Sequence, residues 1–267
     1  MNEKIRVISA FGRGIDALNN KRLEGFLGIS ADYPFFQEIN LYEYLEKYFE
    51  SKKLEDYIGW SLNAFDSLSL YTSDWLLHYN LMAFEDMNRE VALDISYKIS
   101  NFIESKCDEV ISSFPMGKVK FFRLDISEDK NLNKTIKSVR NYSCQDNRFS
   151  QHCLELASTA THNKLKTIKE KYGKEQYKKA VSTAHKYAID DIALLLHLYK
   201  NYAPISISKY EPPKPIKNFL YSNYPQLSTA LDLKPEEIGH VQVSVENDKI
   251  HDVWYDDRQE KLVMKNG

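Results

Sequence analysis

The sequence is poor in cysteine. Its three cysteines, Cys107, Cys144 and Cys153, are odd in number and none stands in a CxxC pair. The spacing suggests neither a disulfide framework nor a zinc site, and a reducing compartment is expected. Glycine is also scarce, at nine residues in 267. Neither GxGxxG nor the Walker pattern occurs, Gly12-Arg13-Gly14 stands ahead of the first expected strand, and the nucleotide-cofactor classes lose ground. There is no GxSxG elbow, and no histidine is tied by spacing to a serine, which disfavours a hydrolase triad. No apolar run approaches the ~20 residues of a membrane span. Residues 1–10 mix Glu3, Lys4 and Arg6 with single apolar residues, so a cytoplasmic chain is expected. Neither sign of charge is in excess, the formal net being −2. Any face that binds a polyanion must therefore come from local segregation of charge.

What is present is core material and a recurring pattern. Hydrophobic residues make up 43% and aromatics 13%, with 18 Tyr and 13 Phe, and the length suits one domain over residues 1–267. Residues 26–30, Phe-Leu-Gly-Ile-Ser, read as a short buried strand ending at a polar loop. Phe36, Ile39, Leu41, Tyr44, Leu45, Tyr48 and Phe49 then recur at helical spacing. Residues 67–72 and 118–126 read as further strands, separated by a long polar helix over about 76–110. Residues 131–198 are helical in pattern with an interruption at Tyr172-Gly173; 205–210 and 240–245 read as the last strands. Alternation of strand and helix predicts an α/β fold, a parallel sheet flanked by helices whose sites lie at the carboxyl ends of the strands.

Several residues near those ends can carry chemistry. Ser30 follows a strand and precedes a helix, a position that serves a nucleophile beside backbone amides or an ordinary helix cap. Tyr187 and Asp191 stand four apart on one helix face next to Leu194 and Leu195, either a proton-handling pair or a core tyrosine with a solvated acid. Tyr210 precedes the rigid Glu211-Pro212-Pro213-Lys214-Pro215 turn. His152-Cys153 invites a metal reading, but Phe149, Cys153, Leu156 and Ala160 fall on one stripe and read as core, so no metal is expected. Between 161 and 189 there are eight lysines, including Lys164, Lys171, Lys174, Lys178 and Lys179, against Glu170 and Glu175; residues 31–66 carry eight acids and three lysines. The chain is dipolar despite its small net charge. The lysine run fits a polyanion-binding face or a plain solvated helix.

Taken together, Leu27-Gly28-Ile29-Ser30-Ala31 with Phe35-Phe36, then Phe149 with Cys153, Tyr187-x-x-x-Asp191, Tyr210, and Pro215-Ile216-x-x-Phe219 resemble the tRNA-dependent cyclodipeptide synthases in order and spacing. The resemblance runs from about residue 26 to 245. It implies a Rossmann-like sheet similar to the catalytic domain of class I aminoacyl-tRNA synthetases, two aminoacyl-tRNAs as partners and substrates, and no cofactor. It implies that Ser30 is the nucleophile, that Tyr187 and Asp191 hold the aminoacyl group, and that Tyr210 acts in cyclisation. Phe26, Gly28, Leu70 and Leu194 would line the first amino acid's pocket. The lysine-rich stretch from Lys164 to Lys186 is the preferred tRNA surface, because Asp86, Glu90, Asp94 and Glu104 dilute the family's usual basic helix. Three positions depart from the family pattern: Asp191 replaces a glutamate, Glu211 replaces His or Pro, and Tyr33 replaces an asparagine found in one subfamily. The alternative is an aminoacyl-tRNA or RNA-binding protein of the same fold without catalysis.

Overall fold

The computed structural model describes residues 4–20, 24–29, 41–50, 52–124, 126, 128–208, 218–234, 237–246, 253–256 and 261–264. The chain opens with β1 (Lys4–Gly12) and α1 (Arg13–Asn20), and β2 (Glu24–Gly28) then enters the middle of the sheet. There follow α2 (Leu41–Glu50), α3 (Lys53–Ala64), β3 (Ser67–Thr72), α4 (Asp74–Phe84), α5 (Arg89–Ile111) and β4 (Val119–Arg123). The second half runs α6 (Lys130–Gln145), α7 (Asn147–Ala160), α8 (His162–Asn201), β5 (Ala203–Ser208), a π-helical turn (Asn218–Asn223), α9 (Pro225–Ala230) and β6 (Gly239–Glu246). A hairpin of β7 (Val253–Asp256) and β8 (Lys261–Met264) closes the described chain.

The described strands form a sheet in the order β1-β6-β5-β2-β3-β4. From β6 to β4 every neighbouring pair is parallel, as the alternating pattern predicts. The antiparallel edge strand β1 departs from it. The sequence reading missed β1, so Gly12-Arg13-Gly14 lies at a strand-to-helix junction rather than ahead of the first strand. Strand order reverses around β2, with β3 on one side and β5 on the other, and a crevice at such a switch point is the usual ligand site of an open α/β sheet.

Period-two alternation divides the core. On β2, Leu27 packs with Leu68 and Leu70 of β3 against α2, α3 and α5, where Leu45, Phe49, Leu54, Ile58, Ile99 and Ile103 are buried. Phe26 faces the other way, into a second core with Leu132, Ile136, Phe149, Cys153, Ala188 and Leu194 from α6, α7 and α8. The stripe on α7 is Phe149, Cys153 and Ala157 at four-residue spacing; Leu156 is 42% exposed and is not part of it.

The helix expected over 76–110 is two helices. Asp86 takes a left-handed φ of 51°, and the Asn88 side chain caps α5 by accepting from the Val91 N–H at 3.0 Å. The region 131–198 is likewise divided at Asp146, whose carboxylate accepts from the N–H groups of Arg148 and Phe149 at 2.9 and 3.1 Å, and again at Thr161. The interruption at Tyr172-Gly173 is present: Gly173 has φ 84° and ψ −173° inside α8. No helix among the described residues is long and apolar enough to cross a membrane.

Candidate active site

A cavity of about 160 Å³ opens at the carboxyl ends of β2 and β3. Gly28 and Ile29 bring β2 to it, and Tyr71, Thr72 and Ser73 bring β3. Leu76, Leu77 and Asn80 of α4 and Ile99, Ser100 and Ile103 of α5 form one wall, while Tyr187, Asp191, Leu194 and Leu195 of α8 form another. The i, i+4 spacing does what it predicts: one helical face carries the phenol, the carboxylate and two leucines into a common space.

Two adjacent aspartates have opposite surroundings. Asp190, 1% exposed, is held by Arg140, whose Nε and Nη2 donate to its two oxygens at 2.7 and 2.6 Å, and by the Tyr79 hydroxyl at 2.8 Å. This fork neutralises it and ties α8 to α6 and α4. Asp191 has no hydrogen-bond or cationic partner among the described residues. Loss of hydration alone pushes its carboxyl from 3.8 up to about 6. That carboxylate raises the Tyr187 hydroxyl well above the ordinary phenol range, with burial and Tyr71 adding to the effect. Burial, then the same carboxylate, does likewise to Tyr71 and Tyr199. The site is a lone, water-poor carboxylate among neutral phenols, an arrangement suited to receiving a cation such as an α-ammonium group.

The sequence-predicted residues divide accordingly. Gly28, Tyr187, Asp191 and Leu194 line the cavity. Phe26 and Leu70 do not, and both are corrected to core positions. Phe26 is 2% exposed between Phe122 and Tyr202, with ring centroids at 5.3 and 3.5 Å, two residues short of the strand end. Leu70 is fully buried and points to the opposite face of the sheet from Phe26. Ser30 and Tyr210, with Tyr33 and Glu211, lie outside the described residues. Ile29 is bonded through its N–H to the Tyr71 carbonyl at 2.8 Å, which fixes the end of β2 at the cavity.

Among the lysines, the Lys164 ammonium sits 5.4 Å from the Phe84 ring centre, Lys178 pairs with Glu175 at 2.8 Å, and Lys179 pairs with Asp86 at 2.6 Å. Lys171 and Lys174 are exposed and unpaired among the described residues. Sequence reasoning missed Tyr71 and Asn80, which line the cavity, and Arg140, which holds Asp190. Tyr71 had a signal, because it ends a strand at the sheet's carboxyl edge; the other two take their places only through helix packing.

No family model matches the sequence, and no curated protein matches it. Solved structures do. A cyclodipeptide synthase from Fluoribacter dumoffii superposes with a TM-score of 0.59 at 11% identity, covering 92% of this chain and 100% of that one. A Mycobacterium tuberculosis protein, described as showing that cyclodipeptide synthetases are related to type I tRNA synthetases, gives 0.58 at 13% identity over 93% and 96% of the two chains. A cyclodipeptide synthase from Candidatus Glomeribacter gigasporarum, bound to Phe-tRNAPhe, gives 0.52 at 14% identity over 86% and 89%. The likeness spans nearly the whole of each chain, and the protein has the cyclodipeptide-synthase fold, a Rossmann-like α/β sheet.

Proposed function

We propose that the 267 residues act as one unit, a tRNA-dependent cyclodipeptide synthase that joins the aminoacyl groups of two aminoacyl-tRNAs through a Ser30 ester. The observation that carries this reading is the cavity itself. At the strand-end crevice of this fold, Tyr187 and Asp191 line the same cavity as Gly28 and Ile29, the residues that precede Ser30 in the sequence. An aminoacyl-tRNA ester is already activated, so the reaction needs a placed nucleophile and stabilisation of an oxyanion.

In the first step the Ser30 hydroxyl attacks the ester carbonyl. The tRNA ribose oxygen leaves with a proton, and the aminoacyl group becomes an ester of Ser30. Its α-ammonium sits against Asp191, with Tyr187 beside it. The amine of a second aminoacyl-tRNA attacks that ester and releases the Ser30 hydroxyl, which then takes the dipeptide from the second tRNA, the ribose hydroxyl leaving, to give a dipeptidyl-enzyme. Attack by the dipeptide's free amine on its own ester closes the six-membered ring and frees the Ser30 hydroxyl. Tyr210 orients a proton in this step, and Asp191, poised near pH 6, serves as its acceptor. The lysines of α8 would contact the tRNA. Lys174 and Asp191 lie 17 residues apart on one helix, about 26 Å at 1.5 Å per residue, so a substrate with its reactive end in the cavity can extend to that surface.

Expression in bacteria with mass spectrometry of the medium tests the assignment. Cyclic dipeptides should accumulate with the intact protein and vanish with Ser30→Ala. Equal signals from the two, or none from either, would defeat it.

A further inference from the structure

We infer that α6 presents a second tRNA-docking face, set apart from the lysines of α8, for the stem of the other of the two aminoacyl-tRNAs. The inference rests on the synthase reading above, which makes two tRNAs the partners.

Helix α6 carries Lys130, Lys134, Lys137 and Arg140, and no acid stands between Asp129 and Asp146. Every other described helix with a basic residue also holds an acid. The buried face of α6 is Leu132, Ile136, Val139 and Ser143. Lys130, Lys134 and Lys137, four and three residues apart, form an exposed stripe, and none of them has a hydrogen bond or ion pair among the described residues. Within the protein this arrangement costs stability. Like charges at these spacings repel, and Lys130 opens the helix, where the dipole favours a carboxylate. The one carboxylate at that end, on Asp129, is committed to the N–H groups of Asn131 and Leu132 and to His197. A row of phosphates laid along the stripe removes the repulsion, so the charge of α6 suits a partner rather than the fold.

The face begins beside the cavity. Arg140, three residues after Lys137, grips Asp190, the neighbour of Asp191. Asp129, directly before Lys130, reaches His197 at 3.3 Å, so α6 runs along α8 from the level of residue 197 back to that of residue 190. Lys130 therefore lies about 15 Å along α6 from Arg140, on the side of Asp190 away from Lys174. Lys174 lies about 24 Å from Asp190 the other way along α8, and Lys171 further still. A stem whose 3′ end enters the cavity leaves it in one direction. The two lysine faces extend from the cavity in opposite directions, and each suits one stem.

The test titrates the full-length protein with uncharged tRNA at low salt and counts the tRNAs bound per chain by sedimentation. The intact protein should bind two, and Lys130→Ala/Lys134→Ala/Lys137→Ala should bind one. In a Lys171→Ala/Lys174→Ala background, adding the same three substitutions should flatten the log–log salt dependence of tRNA affinity by about 2.1–2.7, taking one phosphate per lysine. The substitutions remove only mutually repelling charges from an exposed helical stripe, so the melting temperature should hold or rise. If the alanine variant is not soluble, glutamine at the same three positions gives the same reading. Two tRNAs bound by the variant, or one by the intact protein, overturns the inference while the synthase reading stands. A fall from two to one with no cyclic dipeptide from the intact protein upholds the docking face and overturns the synthase reading alone. No tRNA bound by the intact protein overturns both.

Discussion

Asp190 and Asp191 are consecutive, and α8 turns them about 100° apart. One meets the Arg140 fork and the other meets only the cavity. The unpaired one carries the larger stability cost. A carboxyl raised from 3.8 to about 6 binds its proton more tightly folded than unfolded. Its contribution is thus fully present below pH 3.8 and lost as pH rises through 6, amounting to as much as ~3 kcal/mol. Asp191→Asn should accordingly raise the melting temperature at pH 7.5 and lose that advantage near pH 4, as thermal unfolding across pH would show. Under the proposed function the same substitution also removes the anchor for the substrate ammonium. If the protein acts as proposed, acylation at limiting substrate should rise with pH around 6, as the free carboxylate forms. A flat profile would place the ionisation elsewhere. Tyr187 and Asp191 were legible as a pair because spacing on a helix is local. That Asp190 would be the sequestered one was not, since Arg140 lies 50 residues away.

Helix α8 is the element that organises the molecule. It supplies one cavity wall, buries Ala184, Ala188, Leu194 and Leu198 in the second core, and carries the lysines at its other end. Gly173 divides it. The backbone there, φ 84° and ψ −173°, belongs to a region that essentially only glycine occupies, and there is open space around the missing Cβ. Gly173→Ala should therefore cost stability through the backbone alone, about 1–3 kcal/mol in denaturant unfolding. A neutral result would mean that the helix straightens at no cost. The break was readable because a glycine interrupts the helical pattern; the breaks at Asp86 and Asp146 were not, because an aspartate in a left-handed turn or at a cap looks like any other polar helix position. The strands from β2 to β6 were legible for the opposite reason, whereas β1, β7 and β8 were not read. Ser67–Thr72 alternates and is flanked by polar residues, and its neighbours in the sheet only confirm what the pattern states.

At the scale of the whole molecule, the near-zero charge conceals an uneven distribution, and pairing decides how much of it is available. Lys178 and Lys179 are already engaged with Glu175 and Asp86, whereas Lys171 and Lys174 point to solvent. Under the proposed function, replacing Lys171 and Lys174 together by alanine should weaken tRNA binding and flatten its log–log salt dependence by roughly 1.4–1.8, taking one phosphate per lysine. Replacing Lys178 and Lys179 should do less. Fluorescence anisotropy over a salt series distinguishes the pairs, and an unchanged slope for the first would move the tRNA surface elsewhere on the protein. By itself the sequence determined the alternation of strand and helix, the shared face of Tyr187 and Asp191, and the segregation of lysine, because each depends on residues a few positions apart. Only the tertiary structure decided that Phe26 and Leu70 are core and that Asp190 is neutralised while Asp191 is bare. Those outcomes depend on which face of the sheet a side chain takes and on partners dozens of residues away, which local spacing does not encode.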